Sequence, residues 1–430
     1  MAWGTKGGVD DLLQKLTNPK TARCLYVMST RSISDDEMAK LAAAIANNTL
    51  LEELYLSGHQ LGPLGLQAFA DCLAANSTLK HLSLGSNELG DKAVQTLCAG
   101  LTGNAQSGLQ CWDLELKSLG EDGAAAVAEL LMTNQTLTTV LLSRNTIGDQ
   151  GIKDLVKGLR ENTQTGIKEL HLTEVGISGL GLDHLATLVE SESCSLSTLQ
   201  LSFNALENAT SLFFDALATN KSLTKLQFMK CKLSDAHVKA LASALKQNTS
   251  LIEIDLSDNE LTQSACASLA YGLKDNKGLQ IMRINNNKCQ DEGAVLLADV
   301  LATNNSTLTY LDMGNNGLTC VGMKPLLKAQ SIIQLHLFNN KLGEGLNELL
   351  PALLANSTLE TFGIGANQLH EALSVTMFHA LHSHPSLKTL EMGGNTLGKE
   401  GHEALDKLKE ANRSLDVAVD KNAQNENGTV

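Results

Sequence analysis

Long apolar runs, closely paired cysteines and an excess of positive charge are all missing from this chain, and each absence removes a class of protein. There is no run of about 20 apolar residues, so no membrane-spanning helix is expected. The opening residues from Met1 to Asp11 lack the apolar centre of a secretion signal, so the protein is expected to stay cytoplasmic and away from membranes. Nine cysteines lie scattered, without close pairs and in odd number, which excludes a disulfide framework and implies mostly buried thiols. With 33 basic residues against 47 acidic ones, the net charge of −14 argues against a phosphate-binding face. A protein partner, basic or neutral, fits better than nucleic acid.

Catalytic chemistry is equally scarce. Gly179-Leu180-Gly181 and Gly4-Thr5-Lys6-Gly7-Gly8 lack the spacing of a dinucleotide or P-loop fingerprint. His379, His382 and His384, with His402 one repeat later, form the one histidine cluster, but His384 stands where other repeats end their helix with Asn, so a solvated helix face is expected and no metal. No Ser/His/Asp or Cys/His set assembles without free choice among residues on every strand. The chain is expected to be no enzyme and to need no cofactor.

What is present is one pattern, repeated about fourteen times. Its clearest copy reads Leu79-x-x-Leu82-x-Leu84-x-x-Asn87-x-Leu89. The first apolar position recurs at Leu51, Leu79, Leu109, Leu137, Ile167, Leu196, Leu223, Leu251, Leu279, Leu308, Ile332, Leu359 and Leu387, at separations of 24 to 30. A weaker copy precedes these around Tyr26, Met28 and Ile33. The alternation in Leu82-Ser83-Leu84-Gly85 has a two-residue period and predicts a short strand with its leucines inward. Segments such as Asp122 to Met132 carry apolar residues at three- and four-residue spacing and predict a helix. Each repeat is therefore a strand, a turn and a helix, which can bury both its faces only between neighbours.

These residues identify a leucine-rich repeat, and the expected fold is an α/β solenoid: a curved horseshoe with a parallel sheet on the concave face and helices on the convex one. Residues 1–22 are expected to cap its start through Val9, Leu12, Leu13 and Leu16, residues 23–414 to hold the repeats, and residues 415–430 to add a last strand at Leu415, Val417 and Val419 before a polar tail. The pattern's Asn, at Asn87, Asn145, Asn204, Asn259, Asn287, Asn316, Asn340, Asn367 and Asn395, is expected to bond turn backbone within and between repeats. In the first half it alternates with Lys117, Val175 and Cys231, which gives a two-repeat unit of about 58 residues. Asn-x-Ser/Thr sequons at Asn76, Asn134, Asn220 and Asn356 recur just before the next strand and are expected to be turn residues, not glycan sites.

The long period and the alternation of Asn with other residues resemble the ribonuclease-inhibitor-like subfamily, a repeat type shared with the activating protein of the Ran GTPase and the sensor arms of nucleotide-binding immune receptors. The resemblance implies a protein-binding scaffold or regulator using the concave face, with two narrower alternatives. One is inhibition of a basic ribonuclease, though Trp3 and Trp112 are too few for a tryptophan-rich face. The other is activation of Ran, for which Arg144-Asn145 at a strand end is a faint match without the acidic tail.

Counting two, four and six residues back from each Asn finds the outward strand positions. There, or at the adjacent strand end, stand Tyr55, Phe203, Lys225, Met229, Lys230, Arg283, Tyr310, His336 and Phe338, the expected partner-binding residues. The acids of the same face are Glu53, Asp113, Glu115, Glu169, Glu174, Glu253, Asp255, Asp258, Asp312 and Glu391. Irregular spacings should be absorbed in the loops Gly103–Gly108 and Thr163–Gly166, and Val321 to Gln330 should have lost about one helical turn, with Pro325 in the first turn of what remains.

Overall fold

A computed structural model describes residues 8–164 and 166–419, and its contacts divide into two units, Met1–Phe213 and Phe214–Val430. Gly4 to Gly7, Trp3 and the tail from Asp420 lie outside the described residues. The first unit contains β1 (Cys24–Tyr26), β2 (Glu53–Ser57), β3 (His81–Gly85), β4 (Cys111–Asp113), β5 (Thr139–Leu141), β6 (Glu169–His171) and β7 (Thr198–Gln200). All are parallel and each pairs with the next in sequence, with Leu25, Leu54, Leu82, Trp112, Val140, Leu170 and Leu199 in one register. The second unit contains β8 (Lys225–Gln227), β9 (Glu253–Asp255), β10 (Ile281–Arg283), β11 (Tyr310–Asp312), β12 (Gln334–His336), β13 (Thr361–Gly363), β14 (Thr389–Glu391) and β15 (Asp416–Ala418). They are parallel too, and align Leu226, Ile254, Met282, Leu311, Leu335, Phe362, Leu390 and Val417.

Each unit is thus a leucine-rich-repeat solenoid. The residues so aligned point into the core and are at most 4% exposed, as are apolar helix residues such as Leu97, Val127, Leu155 and Leu297. The residues on either side of them point outward and are mostly half-buried. A helix of Asp10–Leu16 buries Leu12 and Leu16 beside the first repeat, and Arg31 ties it down by pairing with Asp11 and donating from Nε to the Gly8 carbonyl at 2.7 Å. Among the described residues no helix is long and apolar enough to cross a membrane.

The asparagines act as the sequence implies. Asn340 Nδ2 donates to the carbonyls of Met313 and Leu337 at 3.1 and 3.0 Å, while its Oδ1 accepts from the N–H groups of Asn316 and Leu318, both at 3.0 Å. Asn145 and Asn204 serve turns that have no asparagine of their own, accepting from Lys117 N and Val175 N. Asn87 departs from the expectation. It is exposed, and its slot is filled from the next repeat by the ammonium of Lys117, which is 1% exposed and donates to the Gly85 carbonyl at 3.1 Å and to Ser57 Oγ at 2.7 Å. Strand β3 extends to Gly85, whose φ of +85° turns the chain early and carries Asn87 out.

At the helix ends a second asparagine repeats the device. Asn76, 4% exposed, donates to the Ile45 carbonyl at 2.8 Å and accepts from Thr78 N and Leu79 N, which consumes the amide a glycan would need. His384 takes this role in its own repeat, with Nε2 bonded to the Leu353 carbonyl at 2.9 Å and Nδ1 accepting from Leu387 N. The short repeat keeps a helix of Cys320–Leu326, seven residues against fourteen for Gln290–Thr303. Pro325 is not in its first turn but one residue from its end. So short a helix tolerates the ring because little helix follows, and the one interior bond forgone is to the Val321 carbonyl.

Candidate functional site

Outward residues of β8 to β14 form one connected row across the open face of the second unit. On β8 and β10, Lys225 Nζ and Arg283 Nη1 both reach Glu253 of β9, at 3.3 and 2.6 Å. The Arg283 guanidinium lies over the Tyr310 ring of β11 at 4.9 Å, and Tyr310 packs on the His336 ring of β12 with centroids 5.0 Å apart. His336 Nδ1 then meets Glu391 Oε2 at 3.1 Å, although Glu391 is on β14. The intervening strand has Gly363 in the same register, and a Cβ there would stand 2.9 Å from both atoms. The gap left by a missing side chain is what lets the row skip a strand.

Asp312 lies in this row between Arg283 and His336. Burial raises its carboxyl above the usual range, opposed by the bond that its Oδ1 accepts from Gly314 N at 2.9 Å. One strand end further along, Phe338 is 56% exposed with glycine on either side: a Cβ on Gly365 would be 2.9 Å from its ring, and one on Gly314 3.6 Å from its Cβ. Beyond it the turn residues Asn286, Asn315 and Asn339 hand amide bonds along the rim to Asp258, at 2.9 to 3.2 Å.

Of the expected partner-binding residues, the structure therefore gathers Lys225, Arg283, Tyr310, His336 and Phe338. Met229 and Lys230 follow β8 on the same unit, half-buried and exposed respectively. Tyr55 and Phe203 belong to the first unit. Tyr55 sits among Tyr26 and His81, with ring centroids 6.1 and 4.7 Å away, and bonds Glu53 at 3.3 Å. Phe203 is 43% exposed at a φ of +62°. Tyr26 and Met28, 68% and 61% exposed at the first strand, were not among the expected residues, and neither was Gly363. Reading the same outward position across consecutive repeats finds the glycine as an empty column entry.

The remaining candidates disperse. His379 and His382 are exposed, His384 is buried in the turn described above, and His402 Nδ1 is bonded to the Gly398 carbonyl of its own helix. Arg144 lies 3.7 Å from Glu174, both exposed. Cys72 and Cys98 are buried thiols, each pushed up to about 12 by burial.

Comparison with known proteins agrees with this architecture. The profile described as Leucine Rich repeat matches residues 47–70, 75–98, 133–156, 247–270, 304–327 and 383–405. A mouse protein named ribonuclease inhibitor is 26% identical over 422 residues, 96% of this chain and 80% of its own length. The chain is a leucine-rich-repeat protein of the ribonuclease-inhibitor-like type. The pig ribonuclease inhibitor is 27% identical over 66% of the chain and 57% of its own length. The human NACHT, LRR and PYD domains-containing protein 14 is 27% identical over 67% of the chain, which spans only 25% of that protein.

Proposed function

We propose that this leucine-rich-repeat chain is a cytosolic, non-enzymatic protein-binding scaffold or regulator whose partner sits on the open sheet face of the second unit. The observation that carries the reading is the connected row from Lys225 to Glu391, which presents an arginine, a tyrosine ring and a histidine side by side, with the exposed ring of Phe338 next to it. Interfaces concentrate their energy in such aromatic and arginine anchors. Affinity capture from the source cell tests it: a partner should be recovered by the wild-type chain and lost when Arg283, Tyr310 and Phe338 are together replaced by alanine. Undiminished capture by a folded triple variant overturns the placement on this face.

A second reading, inhibition of a basic ribonuclease, is favoured by the mouse inhibitor's likeness over nearly the whole chain. Against it stands Trp112, which is wholly buried in β4 and offers nothing to a partner. Adding excess protein to a ribonuclease assay decides the matter, since undiminished cleavage removes this reading.

A further inference from the structure

The open face of the second unit is short of positive charge at the place where its groups are least satisfied. Its two outward columns on β8 to β14 carry the carboxylates Glu253, Asp255, Asp312 and Glu391, but as permanent cations only Lys225 and Arg283, and both of those are held by Glu253. Glu391 is met by His336. That leaves Asp255 and Asp312, whose Oδ1 atoms accept backbone N–H bonds from Ser257 and Gly314 while no partner among the described residues reaches either Oδ2. The Nε2 of His336 is enclosed and likewise without a partner among the described residues. Next to these groups Phe338 stands unwalled on its glycine floor, a large apolar surface within one strand spacing of the Asp312 carboxylate.

We infer that this face takes an extended segment of a partner protein that sets a lysine or arginine on Asp312 and lays an adjoining apolar side chain against Phe338. The inference rests on the proposed use of this face and adds the chemistry of what it binds. A cation placed on this half-buried carboxylate supplies the donor that Asp312 Oδ2 lacks and adds to the charge of Arg283 and His336 on either side, and contact with Phe338 removes apolar surface from water on both sides. Opposite charge on the incoming segment also speeds its approach to a chain of net charge −14.

The test is selection of a displayed library of random nonapeptides on the full chain, followed by affinity measurement on Asp312→Asn and Phe338→Ala. Asn can still accept from Gly314 N, so the first variant keeps the turn, and a thermal melt checks both folds. The expected result is enrichment of sequences with Lys or Arg beside an apolar residue, and about tenfold weaker binding of the consensus peptide to each variant. Replacing the peptide's basic residue by Gln should cost wild type the same factor and Asp312→Asn nothing further. Selected peptides that lack basic residues yet need Phe338 overturn this inference and leave the binding face standing. Peptides indifferent to both variants, or no enrichment at all, overturn the inference and count against the face as well.

Discussion

His336 on β12 touches Glu391 on β14 at 3.1 Å because Gly363, the residue between them in register, has no side chain to keep them apart. Gly363→Ala should therefore separate the pair, and since the atoms it displaces are mainly side-chain ends, stability should change by no more than about 0.5 kcal/mol. A crystal structure and a thermal melt of the variant check both parts. A contact still at its wild-type distance, or a loss of several kcal/mol, would contradict the account.

Gly158 should behave oppositely. It lies in the helix Gly148–Glu161, and a Cβ there would come within 2.3 Å of the backbone carbonyl oxygen of Ala128 in the preceding repeat. Backbone cannot swing aside, so Gly158→Ala is expected to cost about 1–3 kcal/mol in urea unfolding despite alanine's better helix propensity. A stabilised variant would mean that these helices do not approach so closely.

Asparagines at equivalent sequence positions should differ in worth. Asn340→Ala strips five hydrogen bonds, one of them long, from a buried turn and is expected to cost roughly 3 kcal/mol or more, since each stranded backbone group costs about 1–3 kcal/mol. Asn87→Ala, at an exposed residue, should stay within about 0.5 kcal/mol. Equal losses at the two sites in parallel unfolding curves would restore Asn87 to the ladder and displace Lys117 from it.

The contrast shows what the sequence could reveal. Strand, turn and helix were legible in every repeat, because inward leucines at a period of two and apolar helix positions at three and four are set by geometry that all repeats share. Asn87 misled because its identity fits the pattern, while its displacement depends on the long side chain of Lys117 arriving from the next repeat. Pro325 misled because the start of its short helix, at Cys320, lies earlier than the proline suggested. The site was half legible: counting outward positions found Arg283, Tyr310, His336 and Phe338. The pairing of residues 336 and 391 needs the register of three strands and the emptiness of the middle one.

Acid should weaken the fold through its buried histidines. Burial holds His384 and His59 below the ordinary imidazole range, so the folded state favours the neutral ring. Their contribution is complete above the unfolded value of about 6.5 and is lost as pH falls through the lower folded value. His384→Asn places the usual residue in the slot and does not titrate. It is expected to match wild type within about 1 kcal/mol at pH 8 and to lose less stability between pH 6.5 and 5. Parallel pH profiles for the two proteins would contradict this assignment.

The claim that the open face of the second unit receives a protein is tested most directly by photo-crosslinking in the source cell. A benzophenone amino acid is placed at Phe338, on that face, or at Val321, 66% exposed on the helix Cys320–Leu326. The account predicts a discrete protein adduct from position 338 and none from position 321. An adduct from position 321 alone would contradict it.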